Sequence, residues 1–321
     1  MPLLEIDSLT VEYQTRRGDI RAVNNVSFTL EEGEMLGLVG ESGSGKSTLG
    51  LSIIRLVPHP GVIVSGHLRI DGTDILNLSE KEMRGIRGKK VAFIFQDPMT
   101  SLSPVKKIGA HFVELIRTHE PNISEKEALK RAKTTLNDVG ILPERINDYP
   151  HQFSGGMRQR IMIALAIALS PDLIIADEPT TALDVIVQAK ILDLLKSLRD
   201  TYGMALILIT HDLSIVLERC DKILVMYGGS FVEYADNKEL HGNPIHPYTR
   251  GLLRSIPNIE LAEQKLEAIQ GSPPDLLSPP EGCHFWPRCS FAKKQCRMER
   301  PTIVEFGPGH LVRCFKEAER F

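Results

Sequence analysis

Eight residues limit what this chain can fold into more than any others: Gly40-Glu41-Ser42-Gly43-Ser44-Gly45-Lys46-Ser47. They follow an apolar run, Met35-Leu36-Gly37-Leu38-Val39, and precede a helix-like stretch from Thr48 to Val57. Strand, glycine-rich loop and helix in that order form the context of a phosphate-binding (Walker A) loop in an α/β sheet. The glycines let successive backbone N–H groups turn inward around anionic oxygens. The helix adds its positive N-terminal end. Gly40, Ser42, Gly43, Ser44, Gly45 and Thr48 are the expected cradle. Lys46 is placed to reach the outer phosphates, and Ser47 to put a hydroxyl on Mg²⁺. A Gly/Ser turn ahead of a helix is the plainer alternative.

A second motif argues against that alternative. Leu173-Ile174-Ile175-Ala176-Asp177-Glu178 reads as a buried strand that delivers two carboxylates at its C-terminal end. In open α/β sheets ligands bind at that end. Asp177 is placed to hold Mg²⁺ directly or through its water, and Glu178 to take a proton from an attacking water. An acidic pair after an apolar strand is weak by itself; beside a phosphate loop it is strong.

Composition narrows the class. The 321 residues suffice for one large domain or two ordinary ones. A quarter of them are charged, 42% are hydrophobic and the net charge is −3. That balance gives no support for a nucleic-acid partner. No apolar stretch approaches the ~18 residues of a spanning helix. Met1-Pro2-Leu3-Leu4-Glu5 turns acidic at once, so no targeting signal is expected and the chain is expected in the cytosol.

The periodicity changes along the chain. Short strands are expected at Leu4 to Ile6, Thr10 to Tyr13, Val26 to Leu30, Met35 to Val39, Leu68 to Ile70 and Val91 to Phe95. From about Pro104 to Asp148 the pattern is helical, with Ser124 and Glu127 marking a helix start and Gly140 a stop. From Leu173 to Tyr234 strands alternate with helices at Val185 to Asp200 and Leu213 to Arg219, which argues a mostly parallel sheet. The prolines Pro244, Pro247, Pro257, Pro273-Pro274 and Pro279-Pro280 punctuate a tail of different character. The expected division is 1–103 with 171–235 as the α/β core, 104–170 as an inserted helical subdomain, and 236–321 as a C-terminal extension.

Ser154-Gly155-Gly156-Met157-Arg158 resembles the signature motif of ATP-binding-cassette (ABC) ATPases, nineteen positions ahead of the strand bearing Asp177. Gln96 resembles that family's Q-loop glutamine. Asp184, in Thr180-Thr181-Ala182-Leu183-Asp184, resembles its D-loop aspartate. His211 resembles its switch histidine, and Tyr13 the aromatic that stacks on adenine. The resemblance is collinear over roughly residues 3 to 235. It implies a P-loop NTPase core, RecA-like, with a mostly parallel sheet plus antiparallel strands. It further implies that Ser154, Gly155 and Gly156 cap the γ-phosphate held by a second subunit. Gln96 contacts Mg²⁺ or the attacking water, and His211 steadies the γ-phosphate. Phe153 and Met157 depart from the family's usual Leu and Gln.

The tail holds Cys283, Cys289, Cys296 and Cys314, with only Cys220 elsewhere. A cytosolic chain disfavours disulfides, and zinc sites favour pairs two to four residues apart. Here the gaps are five, six and seventeen. Four thiolates at loose spacing suit an iron–sulfur cluster at least as well; four structural thiols are the bland alternative. Asn243-Pro244-Ile245-His246-Pro247-Tyr248-Thr249, Gly271-Ser272-Pro273-Pro274, and Phe285 and Arg288 between Cys283 and Cys289 resemble the C-terminal extension of oligopeptide, dipeptide and nickel importer ATPases. So does Gln96-Asp97-Pro98-Met99-Thr100-Ser101-Leu102. That resemblance implies a [4Fe–4S] cluster on the four cysteines in some members.

The expectation is an ATPase subunit of a peptide-type importer, peripheral on the cytoplasmic side of the membrane. Its partners would be a second cassette (a paralogue or itself), transmembrane permease subunits and, indirectly, an extracellular substrate-binding protein. Alternatives are a nickel or other small-solute importer ATPase, a non-transport cassette ATPase, and a redox- or metal-sensing module in which ATP binding is vestigial.

Overall fold

A computed structural model describes residues 1–97, 101–181, 183–256 and 269–315. Pro98, Met99, Thr100, Ala182 and Pro257, all named above, lie outside the described residues. The strands are β1 (Leu4–Thr15), β2 (Gly18–Leu30), β3 (Met35–Val39), β4 (Gly61–Ile70), β5 (Thr73–Asp74), β6 (Val91–Ile94), β7 (Leu173–Asp177), β8 (Ala205–Thr210), β9 (Lys222–Tyr227), β10 (Ser230–Asp236), β11 (Val304–Gly307) and β12 (His310–Val312). The helices are α1 (Lys46–Ile53), α2 (Glu80–Ile86), α3 (Ile108–His119), α4 (Glu125–Asp138), α5 (Gly155–Ile167), α6 (Val185–Tyr202), α7 (Leu213–Arg219), α8 (Asn237–Gly242), α9 (Pro247–Arg254) and α10 (Lys294–Met298). They gather into two compact units. One comprises Met1–Leu3, Leu30–Glu34 and Ile70–Ile207; the other comprises Leu4–Thr29, Met35–Arg69 and Leu208–Phe321.

In the first unit β6 and β7 pair in parallel, with Val91 opposite Leu173 and Ile94 opposite Ala176. All five residues of β7 are buried, as an apolar strand covered on both faces must be. The helical block follows its sequence signals. Ser124 caps α4 by accepting the Glu127 N–H, and Ala128, Ala132, Thr135 and Leu136 form its buried stripe. Gly140, in the left-handed region at φ 72°, stands just past its end. Helix α5 starts at Gly155, because Ser154 accepts the Met157 N–H and caps it.

In the second unit β3 runs parallel to β9, with Leu36 opposite Lys222 and Val39 opposite Val225. Strands β9 and β10 are antiparallel across Gly228-Gly229, and β12 continues the ladder with Glu233 opposite Val312. The register shifts between Phe231 and Glu233. Glu233 is fully buried, yet its carboxylate accepts from Ile245 N–H (2.7 Å), His246 N–H (3.0 Å) and His310 Nε2 (2.8 Å). A buried carboxylate persists only when its oxygens are satisfied in this way. It thereby clips the start of α9 and the strand β12 to β10.

The N-terminal strands differ from expectation. The segments expected to be separate, Leu4 to Ile6 and Thr10 to Tyr13, form one strand of 12 residues, and β2 runs for 13. Ser8 and Asn25 each take φ 52° inside their strands. A single left-handed residue kinks a strand without ending its ladder, so a polar break in the pattern was no strand end. Among the described residues no helix is long and apolar enough to cross a membrane.

Candidate functional site

The loop after β3 is built by close approach. Gly45 precedes α1 at φ 101°, and a Cβ there would lie 2.1 Å from the Ala22 carbonyl oxygen. A Cβ on Gly40 would lie 2.2 Å from the Met226 carbonyl oxygen. Neither position admits a side chain. Gly43, at φ 77°, has nothing within 4 Å of an added Cβ and faces open space. Lys46 is 5% exposed, and its Nζ donates to the Gly40 (2.8 Å) and Glu41 (2.9 Å) carbonyls. The ammonium is thus folded across the loop mouth. Ser44 is buried; Ser42 and Ser47 are exposed. Tyr13 is half-buried, with its hydroxyl 3.3 Å from Thr48 Oγ1, so β1 brings the expected adenine platform to the first turn of α1. His211 is exposed just past β8, in the same unit as the loop.

The first unit carries the acidic strand end. Asp177 ends β7 at 7% exposure. Glu178 follows at φ 43°, a left-handed conformation that a glutamate adopts only under constraint. Its Oε2 accepts from Thr181 Oγ1 (3.0 Å) and Gln96 Nε2 (3.4 Å). Gln96 and Glu178 are therefore brought together, 82 residues apart in sequence. Thr181 is a partner the sequence did not single out. Asp184 caps α6 through Val187 N–H (3.0 Å).

Ser154 is exposed at the start of α5. A Cβ on Gly156 would meet Val187 Cγ1 at 2.7 Å, so Gly156 lets the signature turn sit against the first turn of α6. The two departures from the family pattern share a partner. The Arg145 guanidinium lies 4.0 Å from the Phe153 ring centroid, and its Nη1 is 3.7 Å from Met157 Sδ. Asp148 (2.8 Å) and the Gln152 carbonyl (3.1 Å) hold Arg145 there.

The second residue of the phosphate loop was missed altogether. The Glu41 carboxylate takes a two-pronged bond from Arg288, at 2.6 and 3.0 Å. The Glu41 N–H donates to Tyr248 Oη at 2.9 Å. The Glu41 carboxylate, as principal partner, pushes the Arg288 guanidinium further above its already high pKa. No local pattern could have announced an ion pair spanning 247 residues.

The iron–sulfur expectation is corrected. Among the described residues no group of three or more His, Cys, Asp or Glu is placed to hold a metal ion. Cys283, Cys289, Cys296 and Cys314 do line one cavity, but it measures only about 20 Å³. That is room for about one water. Burial pushes the Cys283 thiol up to about 11. Among the described residues the four cysteines form no disulfide, and they lie among aromatic side chains. Spacing gathered them without making a ligand set. The expected Mg²⁺ donors are different in kind: a hydroxyl (Ser47) in one unit, and an amide oxygen (Gln96) and a low-exposure carboxylate (Asp177) in the other, are each hard oxygen ligands of the type that suits Mg²⁺.

A family profile described as ABC transporter matches residues 23–181, and one described as the C-terminal region of oligopeptide/dipeptide transporters matches residues 232–296. The oligopeptide transport ATP-binding protein OppD of Bacillus subtilis is 47% identical over 97% of this chain and 88% of its own length. The dipeptide transport ATP-binding protein DppD of Escherichia coli is 44% identical over 98% of this chain and 96% of its own. A dimeric ATP-binding cassette in a post-hydrolysis state, bound to ADP and Pi, superposes with a TM-score of 0.65. It is 31% identical and covers 73% of this chain and 98% of its own.

Proposed function

Because the chain belongs to the ABC transporter ATPases, in their oligopeptide/dipeptide branch, we infer that it is the ATP-hydrolysing subunit of a peptide importer. The observation that carries this is similarity at 44–47% identity over nearly the whole chain, tail included, to ATP-binding proteins named for oligopeptide and dipeptide transport. The chain works at the cytoplasmic face of the membrane with permease subunits and a paired cassette. An external substrate-binding protein acts on it only through the permease. The loop 40–47 serves nucleotide binding and the block 104–170 serves coupling.

The residues divide the work as follows. Loop 40–47 wraps the triphosphate, Lys46 leaves its two carbonyls for the outer phosphates, and Tyr13 stacks on the base. Ser47, Gln96 and Asp177 are the residues that would hold Mg²⁺, which when bound would supply positive charge to the triphosphate. Glu178 accepts a proton from the attacking water while Gln96 and Thr181 aim its carboxylate. His211 steadies the terminal phosphate. Exposed Ser154, with Gly155 and Gly156, caps the phosphate of the opposing cassette, and Asp184 holds the adjoining helix start.

Uptake tests the conclusion. Cells in which this chain carries Lys46→Ala should lose accumulation of a labelled di- or tripeptide. Undiminished peptide uptake with loss of nickel uptake instead would assign the transporter to the nickel class.

A further inference from the structure

The tail reaches the phosphate loop at Glu41 and takes hold of it through both Arg288 and Tyr248. Arg288 is 5% exposed at its side chain and spends its fork on the Glu41 carboxylate. Its remaining donors are also used: Nε on the Gln270 carbonyl (2.9 Å), Nη2 on the Ile269 carbonyl (3.3 Å) and Nη1 on Tyr227 Oη (3.3 Å). A planar fork fixed at every edge has one orientation. Tyr248 receives the Glu41 N–H, and its ring is packed against Tyr227 (4.6 Å between centroids) and Phe285 (5.4 Å). The Glu41 carbonyl meanwhile accepts from Lys46 Nζ and from Ser44 N–H (3.2 Å). A further link runs through the turn Gly228-Gly229. His284 Nδ1 lies 2.7 Å from the Gly228 carbonyl, and Gly229 N–H donates to the Ser44 carbonyl at 3.1 Å.

We propose that Arg288 and Tyr248 of the C-terminal extension are positioning residues for the nucleotide: by clamping Glu41 they hold the phosphate loop in its binding-competent shape. Neither touches the reacting atoms. Their effect is on the fraction of molecules whose loop is preformed, and the apparent dissociation constant scales inversely with that fraction. The extension thereby tunes ATP affinity from outside the cassette core.

Because this role presupposes loop 40–47 as the triphosphate cradle, the probe is equilibrium binding of the fluorescent analogue mant-ATP to the full chain. Arg288→Ala should raise the dissociation constant roughly ten-fold. Tyr248→Phe, which keeps the ring and removes only the hydroxyl, should raise it about three-fold. Arg288→Lys should fall between wild type and Arg288→Ala, since it keeps the charge and loses the fork. The turnover number at saturating ATP should stay within about two-fold of wild type, since the change is confined to binding. Glu41→Ala combined with Arg288→Ala should bind no more weakly than the worse single variant. Wild-type affinity in Arg288→Ala, with or without a lowered melting temperature, would make the contact a mere anchor for the tail and overturn the proposal. Strictly additive effects in the double variant would do the same. If the unsubstituted chain bound no mant-ATP, the cradle itself would be refuted and this role with it.

Discussion

Replacing Glu178 by glutamine separates binding from chemistry in a way the structure quantifies. The substitution keeps the shape of the side chain and an oxygen to accept from Thr181 Oγ1 and Gln96 Nε2. Its cost in stability is the conversion of two hydrogen bonds from charged to neutral at a half-exposed site, about 1 kcal/mol or less. The cost in chemistry is larger. A positioned base contributes ~10²–10⁴-fold, about 3–5 kcal/mol of barrier. Glu178→Gln should therefore bind mant-ATP as wild type does and melt within a few degrees of it, while phosphate release falls by two to four decades. Glu178→Gly is the companion. It removes the base but relieves the φ 43° backbone, a strain of about 1–2 kcal/mol. It should lose turnover just as completely with little loss of melting temperature. Phosphate release at the wild-type rate in Glu178→Gln, with binding intact, would refute Glu178 as the base.

Two glycines in one loop should respond differently. Gly45→Ala forces a Cβ to 2.1 Å from the Ala22 carbonyl oxygen and should destabilise by at least about 2 kcal/mol. Gly43→Ala meets nothing within 4 Å and should cost only about 1 kcal/mol of backbone strain; equal melting temperatures for the two would contradict the packing. His246 supplies a pH test. Burial lowers its pKa to about 4 from 6.5, so the unfolded chain binds the extra proton first and stability falls as pH drops from about 6.5 toward 4. The stability advantage of wild type over His246→Asn, whose oxygen still accepts the Tyr248 N–H, should shrink across that window in urea titrations. An advantage that grows on acidification would reverse the sign and sink the assignment.

The local chemistry of the site was readable because it is written in short spans. Gly40 and Gly45 had to be glycine, since only glycine admits the close approaches to Met226 and Ala22 that the loop makes. Ser124 announced a helix start because a cap is a bond between residues three apart. The continuous β1 and β2 were not readable, because a polar residue inside a strand looks like its end unless the ladder partner is known. The tail misled most. Four cysteines in 39 residues suggested a cluster, but thiol geometry and burial are set by packing that spacing does not encode. Sequence by itself determined the strand–loop–helix cradle, the acidic strand end and the signature turn, each fixed by backbone sterics or bonds within a few residues. Only the tertiary structure decided that Gln96 meets Glu178, that Arg145 serves both Phe153 and Met157, and that Arg288 closes on Glu41. Those contacts join residues that are neighbours only after the chain has folded, and nothing in a local pattern records the partner.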